Sequence, residues 1–212
     1  MTMKDNEEII ENIMSELDGF HCIDTEEIPG IDLYMDQVTS FMNKHLKETS
    51  RNPETDKILT KTMINNYAKN HLLPSPEKKK YSKDHMIMLI FIYYFKGVLS
   101  LGDIRQILDP VMGDSFQTGS EPDLETIYKT VFSEEPEEII NIKKDITAQY
   151  ERAGKHFNEF PEFKRDKLQM FSLICMMSYD VYMKKLIIER ILDMMNEDDS
   201  TKTNAKTSAK TD

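Results

Sequence analysis

Between Lys57 and His85 the chain gathers side chains that can grip an anion and read hydrogen-bonding edges. Lys61, Thr62, Asn65, Asn66 and Lys69 alternate with Ile64, Tyr67 and Ala68. On a helix the second set forms a packing face and leaves the first set outward. All five outward residues can donate to phosphates or base edges. An asparagine amide matches N6 and N7 of adenine, so Asn65 or Asn66 can read an A·T pair with roughly 1–3 kcal/mol of discrimination. The alternative is a solvated polar face. Lys78, Lys79 and Lys80 beside Tyr81 suit the nucleic-acid backbone, where contacts set affinity rather than sequence preference; the alternative is an ordinary charged turn. Tyr67 is expected to fill the small core and to bring its hydroxyl near a phosphate. Arg51, in the loop before this helix, is a further candidate for phosphate. His71 and His85 lack a metal-ligand spacing and read as structural or surface residues.

Charge distribution sharpens this reading. The whole chain carries −11, which taken alone repels duplex DNA. Residues 57–85 hold seven lysines against Glu77 and Asp84, so 7 − 2 = +5, and the remainder carries −11 − 5 = −16. A basic island in an acidic chain has the form of a local phosphate-binding surface.

Other chemistries find little support. The sequence contains no Gly-rich phosphate loop, no H-E-x-x-H, no G-x-S-x-G and no paired Glu-x-x-His elements. The run Glu134, Glu135, Glu137 and Glu138 sits at a helix start, where negative charge complements the dipole. No enzyme, cofactor or metal is therefore expected. Cys22 and Cys175 have no clip-like spacing and suit a reducing compartment. The acidic amino terminus does not resemble a secretory signal, and apolar runs of about ten residues are too short for a bilayer. A cytoplasmic protein without a membrane partner is expected. Several methionines of the last helix, including Met170, Met176, Met177 and Met183, suit either a core seam or an adaptable effector pocket.

The elements that must position these residues follow from periodicity and capping. Ile9, Ile10, Ile13, Met14 and Leu17 predict a first amphipathic helix. A second is expected over about 32–47, with Tyr34, Val38, Phe41 and Met42 on one side. Thr60 suits the cap of the helix over 60–71, which Pro74 and Pro76 follow. Residues 73–81 are too short for a helix and fit a small two-stranded wing. Ser82 caps a helix ending near Gly97, and Ser100 with Asp103 starts another through Leu108. Pro110, Gly113, Gly119 and Pro122 mark a connection. Helices are then expected at about 124–132, 136–157 and 162–195, and residues 196–212 have nothing to bury.

Tyr67, Leu72, Leu73, Pro74, Pro76, Lys78, Lys79, Lys80, Tyr81, Ser82 and Asp84, followed by Leu99, Ser100, Leu101, Asp103, Ile104 and Leu108, resemble the MerR-like winged-helix DNA-binding superfamily. The resemblance covers roughly residues 32–109. The string KILTKTMINNYAKNHLLPSPEKKKYSKDH is similar at closer range to the YkrK-like family of Gram-positive bacteria, long described only as a domain of unknown function. Asn65, Asn66 and Ala68 stand where many MerR proteins have arginine, an aromatic and glutamate, so the docking mode is implied more directly than individual base contacts. The resemblance implies a recognition helix over 60–71, a lysine-rich wing over 73–81 and a transcriptional regulator.

The expected fold is mainly all-α, a winged helix-turn-helix with a very short β wing and a C-terminal helical dimerisation or effector region. Its expected parts are an N-terminal helix and turn (1–30), the DNA-binding domain (31–110), a linker (111–123), a helical region (124–195) and a disordered tail (196–212). The expected partners are double-stranded DNA, a second copy of the chain and an effector at the C-terminal helices. The competing reading is a non-catalytic helical adaptor that keeps the fold without binding DNA.

Overall fold

The computed structural model describes residues 3–117, 119 and 121–208, and side-chain surroundings for 6–113, 115–117, 119 and 121–196. Its elements are α1 (Met3–Glu16), β1 (Leu33–Tyr34), α2 (Met35–Leu46), α3 (Lys61–Lys69), β2 (Lys80–Tyr81), α4 (Lys83–Phe95), α5 (Leu101–Ser115), α6 (Leu124–Phe132), α7 (Glu135–Ala153) and α8 (Glu162–Ser208). The architecture is thus mainly helical, with one two-stranded sheet.

Helix α4 organises the main core. Met86 through Ile92 are all buried, and a helix apolar on every side must be surrounded. Ser82 starts it as the sequence predicts: its Oγ accepts from the His85 backbone N–H, while the Ser82 N–H donates to His85 Nδ1 at 3.1 Å. Around α4 lie Val38, Met42 and Leu46 of α2, Ile64 and Tyr67 of α3, Ile104 and Leu108 of α5, and Leu124 and Tyr128 of α6. Phe91 meets Tyr128 edge-on at 5.6 Å between centroids and stacks with Phe132 at 5.7 Å. Polar ties reinforce this contact. Lys83 Nζ lies 2.6 Å from Glu125 Oε2, and Lys129 lies 2.9 Å from Glu125 Oε1.

The expected linker and domain boundary are therefore redrawn. Helix α5 continues to Ser115 through Pro110, which forgoes one backbone bond without ending the helix. Helix α6 belongs to the main core, because its aromatic face completes the cover of Phe91. The upstream segment joins the same body: Ile23 and Ile28 are buried, and the Tyr128 hydroxyl donates to the Ile23 carbonyl at 2.8 Å.

A second, smaller cluster forms from α1, α7 and α8. Helices α7 and α8 run antiparallel, with Ala153 and Leu173 buried and Gln169 donating to the Gly154 carbonyl. Helix α1 joins through Asn6, which donates to the Asp166 carbonyl at 3.3 Å. Further along, α8 returns to α5, where the Leu192 carbonyl accepts from Gln106 at 2.6 Å. The backbone of α8 remains helical to Ser208, across most of the expected tail, and residues 209–212 lie outside the described residues. Among the described residues no helix is long and apolar enough to cross a membrane.

The two lysines beside Glu125 hold its carboxyl well down, from 4.5 to about 2. A depressed carboxyl pKa contributes stability that is present above 4.5 and lost as pH falls through 2. Glu125→Gln should lower unfolding stability at neutral pH by about 1 kcal/mol, a value discounted for partial exposure. It should also flatten the loss of stability between those pH values. Urea titrations across the acid range check this, and an unchanged acid profile would contradict it.

Candidate nucleic-acid interface

Helix α3 is short, and its position is set from both ends. Asn43 of α2 accepts the Ile58 N–H on Oδ1 at 3.0 Å and donates through Nδ2 to the Leu59 carbonyl at 3.1 Å. Lys96 adds a bond to the Ile58 carbonyl at 3.1 Å. The chain is thereby pinned just before Thr60, whose Oγ1 accepts from the Met63 N–H at 3.2 Å and caps the helix. At the far end Leu72 and Leu73 are buried, and His71 turns the chain at φ 58.

This anchoring leaves the expected face free. Ile64 is fully buried and Tyr67 is 6% exposed, while Ala68 is half-buried. Lys61, Thr62, Asn65, Asn66 and Lys69 are all exposed, as is Asn70, whose amide donates to the Asn66 carbonyl at 2.7 Å. The exposed face of α3 is about 12 Å long by helical rise.

The lysine-rich segment is built differently from a self-contained two-stranded wing. Residues 73–76 contribute no strand, because Pro74 and Pro76 cannot donate to a ladder. Instead β2 pairs antiparallel with β1, with Leu33 opposite Tyr81 and Tyr34 opposite Lys80. A single bridge, Glu77 with Lys80, closes the turn, and the Lys80 N–H donates to the Glu77 carbonyl at 2.8 Å. Lys78 and Lys79 occupy its corners at φ 49 and φ 66, where Asn-Gly is favoured in two-residue hairpins. Both lysines are exposed; Lys78 lies 3.8 Å from Glu77 across open solvent.

Contacts at the start of α2 join the two basic surfaces. Lys61 pairs with Asp36, and Lys80 places its ammonium over the Tyr34 ring at 5.4 Å from the centroid. Residues 34 and 36 thus touch both the first turn of α3 and the base of the hairpin. Tyr34 is exposed and sits just outside α2, with its N–H donating to Gln37 Oε1 at 2.8 Å. The periodicity of residues 32–47 places it among core residues, so its position as a surface aromatic beneath Lys80 is not legible in the sequence. The β1 pairing, which turns it outward, is a long-range contact without a local signal.

Two expected contact residues lie inside. Tyr81 is 3% exposed and meets His85 edge-on at 5.5 Å, so it supports the hairpin from within. Burial pushes the phenols of Tyr67 and Tyr81 upward, which keeps both neutral. Burial likewise lowers the pKa of His85. Arg51 is exposed on the loop before α3, next to a separate shallow recess that also includes Tyr93 and Lys96. Among the described residues no group of three His, Cys, Asp or Glu side chains is placed to hold a metal ion.

The corner lysines pay a conformational penalty that a glycine would remove. Lys78→Asn combined with Lys79→Gly should stabilise the fold by about 1 kcal/mol. Chemical denaturation measures this, and a clear loss of stability would show that the corner is not strained.

No curated protein and no solved structure matches the chain. A family model, "Domain of unknown function (DUF1836)", matches residues 23–131. That span opens at Ile23, the first residue of the main core, and ends inside α6. The match covers just over half of the 212 residues, and the chain belongs to this DUF1836 family.

Proposed function

We propose that the protein is a sequence-specific DNA-binding regulator that lays the exposed face of α3 into a major groove while the 77–80 hairpin holds the adjacent backbone. The single observation carrying this reading is the exposure of two neighbouring basic surfaces, the Lys61, Asn65, Asn66 and Lys69 face of α3 and the 77–80 hairpin, both of which touch residues 34–36. Asn65 and Asn66 supply amides suited to base edges, flanked by Lys61 and Lys69. Lysine at both strained corners adds support: a position that favours Asn-Gly yet carries two cations is one where charge is worth conformational strain. The winged-helix docking suggested by the MerR-like residues fits this arrangement, with α3 as recognition helix and the hairpin as a minimal wing.

Binding as a homodimer is part of the proposal, since a single basic module holds DNA weakly and two half-sites multiply the contacts. Helix α8 offers the surface. Phe171, Ile174, Val181 and Tyr182 are exposed along it, flanking Ser178. Lys167 lies 178 − 167 = 11 residues before Ser178, and Glu189 lies 189 − 178 = 11 residues after it. An antiparallel pair centred on Ser178 would set the lysine of each copy against the glutamate of the other, which is the self-complementarity that a two-fold interface requires.

DNA binding is tested by titrating the purified protein against its selected duplex at several salt concentrations. The slope of log affinity against log salt should be steeper than about −3. Replacing Lys78 and Lys79 with Asn and Gly should weaken all duplexes about equally, whereas Asn65→Ala with Asn66→Ala should relax sequence preference. A flat salt dependence, or variants that bind as the parent does, would refute the assigned surface. For the dimer, Ile174→Glu should yield monomers in sedimentation at micromolar concentration; an unchanged dimer would move the interface elsewhere.

A further inference from the structure

Helix α8 serves two bodies. Near its start it packs with α7 and α1, and toward its far end it reaches α5, whose Ile104 and Leu108 are buried in the main core. From Arg190 to Asn196 the one buried residue is Leu192, and the other six are exposed. A single apolar contact has no direction, so it does not by itself fix where along α8 the two helices meet.

Gln106 of α5 supplies that direction. Its Nε2 donates to the Leu192 carbonyl at 2.6 Å, and its Oε1 accepts from Asn196 Nδ2 at 2.8 Å. Leu192 and Asn196 are one helical turn apart, so a single amide spans a turn of α8. A carbonyl oxygen has two lone pairs, which lets Leu192 accept this bond without leaving the ladder of its own helix. Flipping the amide would set donor against donor and acceptor against acceptor. A slip of one turn toward the start of α8 would present the Ile188 carbonyl and the Leu192 side chain, which offers Oε1 no donor. Two such bonds favour the observed register by about tenfold or more.

A second attachment lies at the start of α7. Glu135 Oε2 accepts the Cys22 N–H at 2.6 Å, and Glu135 Oε1 lies 3.3 Å from His21 Nδ1, on the segment that enters the main core at Ile23. One attachment leaves the α7–α8 pair a pivot, and the one through Gln106 removes it. In the antiparallel pairing proposed above, Leu192 stands 192 − 178 = 14 residues from the two-fold centre, about 21 Å by helical rise. The two DNA-binding bodies are then attached about 42 Å apart along the pair. A one-turn slip in both copies changes that separation by about 11 Å, the length of about three base pairs.

We infer that Gln106 is a positioning residue that fixes α8 on the DNA-binding body and so sets the spacing of the two half-sites that the dimer accepts. The inference rests on the DNA-binding dimer proposed above. The side-chain bonds of Gln106 go to α8 alone, so it acts through that helix.

Duplexes carrying two selected half-sites at centre-to-centre spacings of about 8–14 base pairs test it with the full chain. The parent should prefer one spacing and bind those about three base pairs away at least about tenfold more weakly. Gln106→Leu should reduce that preference to about threefold or less, with affinity for a single half-site, dimer sedimentation and thermal unfolding close to the parent. Asn196→Ala should act in the same direction, and the double variant should match Gln106→Leu, since both changes remove one contact. Without DNA, electron paramagnetic resonance reads the distance between spin labels at Lys44→Cys and Lys164→Cys, both exposed positions, in a Cys175→Ser chain diluted with unlabelled protein. Cys22 is half-buried with its thiol pushed up to about 12, which keeps it from the label. The distances should be narrowly distributed in the parent and broader in Gln106→Leu. An unmoved spacing profile, a half-site affinity that falls in step with it, or an unchanged label distribution would overturn the role of Gln106 and leave the DNA reading in place. Failure to bind any duplex would remove the regulator and the spacing role together.

Discussion

A helix that is apolar around its whole circumference cannot rest on one partner, and the burial of α4 on every side is the constraint from which the rest of this fold follows. Met86 through Ile92 require a shell, which α2, α3, α5, α6 and the small sheet supply. Deleting a side chain from such a site, as in Leu89→Ala, removes contacts on all sides and typically costs about 2–5 kcal/mol. Each shell element then has one face committed inward. For α3 the commitment of Ile64 and Tyr67 leaves a polar, lysine- and asparagine-bearing face toward solvent. The interface surface is thus a consequence of how the core is covered.

Electrostatics gives that face its direction. The chain is acidic overall, yet residues 57–85 carry a net +5 in formal charge. Exposed acids temper this locally, since Asp36 pairs with Lys61 and Glu77 sits near Lys78. Such exposed pairs are weak and exchange readily for a phosphate partner. An acidic remainder would also discourage nucleic acid from settling elsewhere on the molecule, so that local charge rather than total charge governs orientation. The strained corner at Lys78 and Lys79 fits the same economy of a fold giving up a little stability to present cations at a hairpin tip.

Much of this was legible in the residues because it is encoded locally. Thr60, Ser82 and Ser100 cap the helices they were expected to cap, and α6 spans the expected residues. The outward set on α3 followed from period alone. What local reasoning could not supply was the partner of each element. Pairing of β1 with β2 turns Tyr34 outward and buries Tyr81, yet no periodicity within residues 32–47 or 73–81 encodes a two-residue ladder. Pro110 and the glycines after it resembled a boundary, although the aromatic contacts of Phe91 with α6 carry the core across it. Burial of Asp166 and Asn6 arises from the meeting of α1 with α8, some 160 residues apart in sequence, and had no signature in composition.

The most direct measurement is backbone amide protection on adding duplex DNA, followed residue by residue by NMR or hydrogen exchange. Changes concentrated at 61–70 and 77–80, with the buried amides of α4 unaffected, are the expected result. Perturbation confined to α7 and α8, or none anywhere at saturating DNA, would contradict the idea that this basic surface meets nucleic acid.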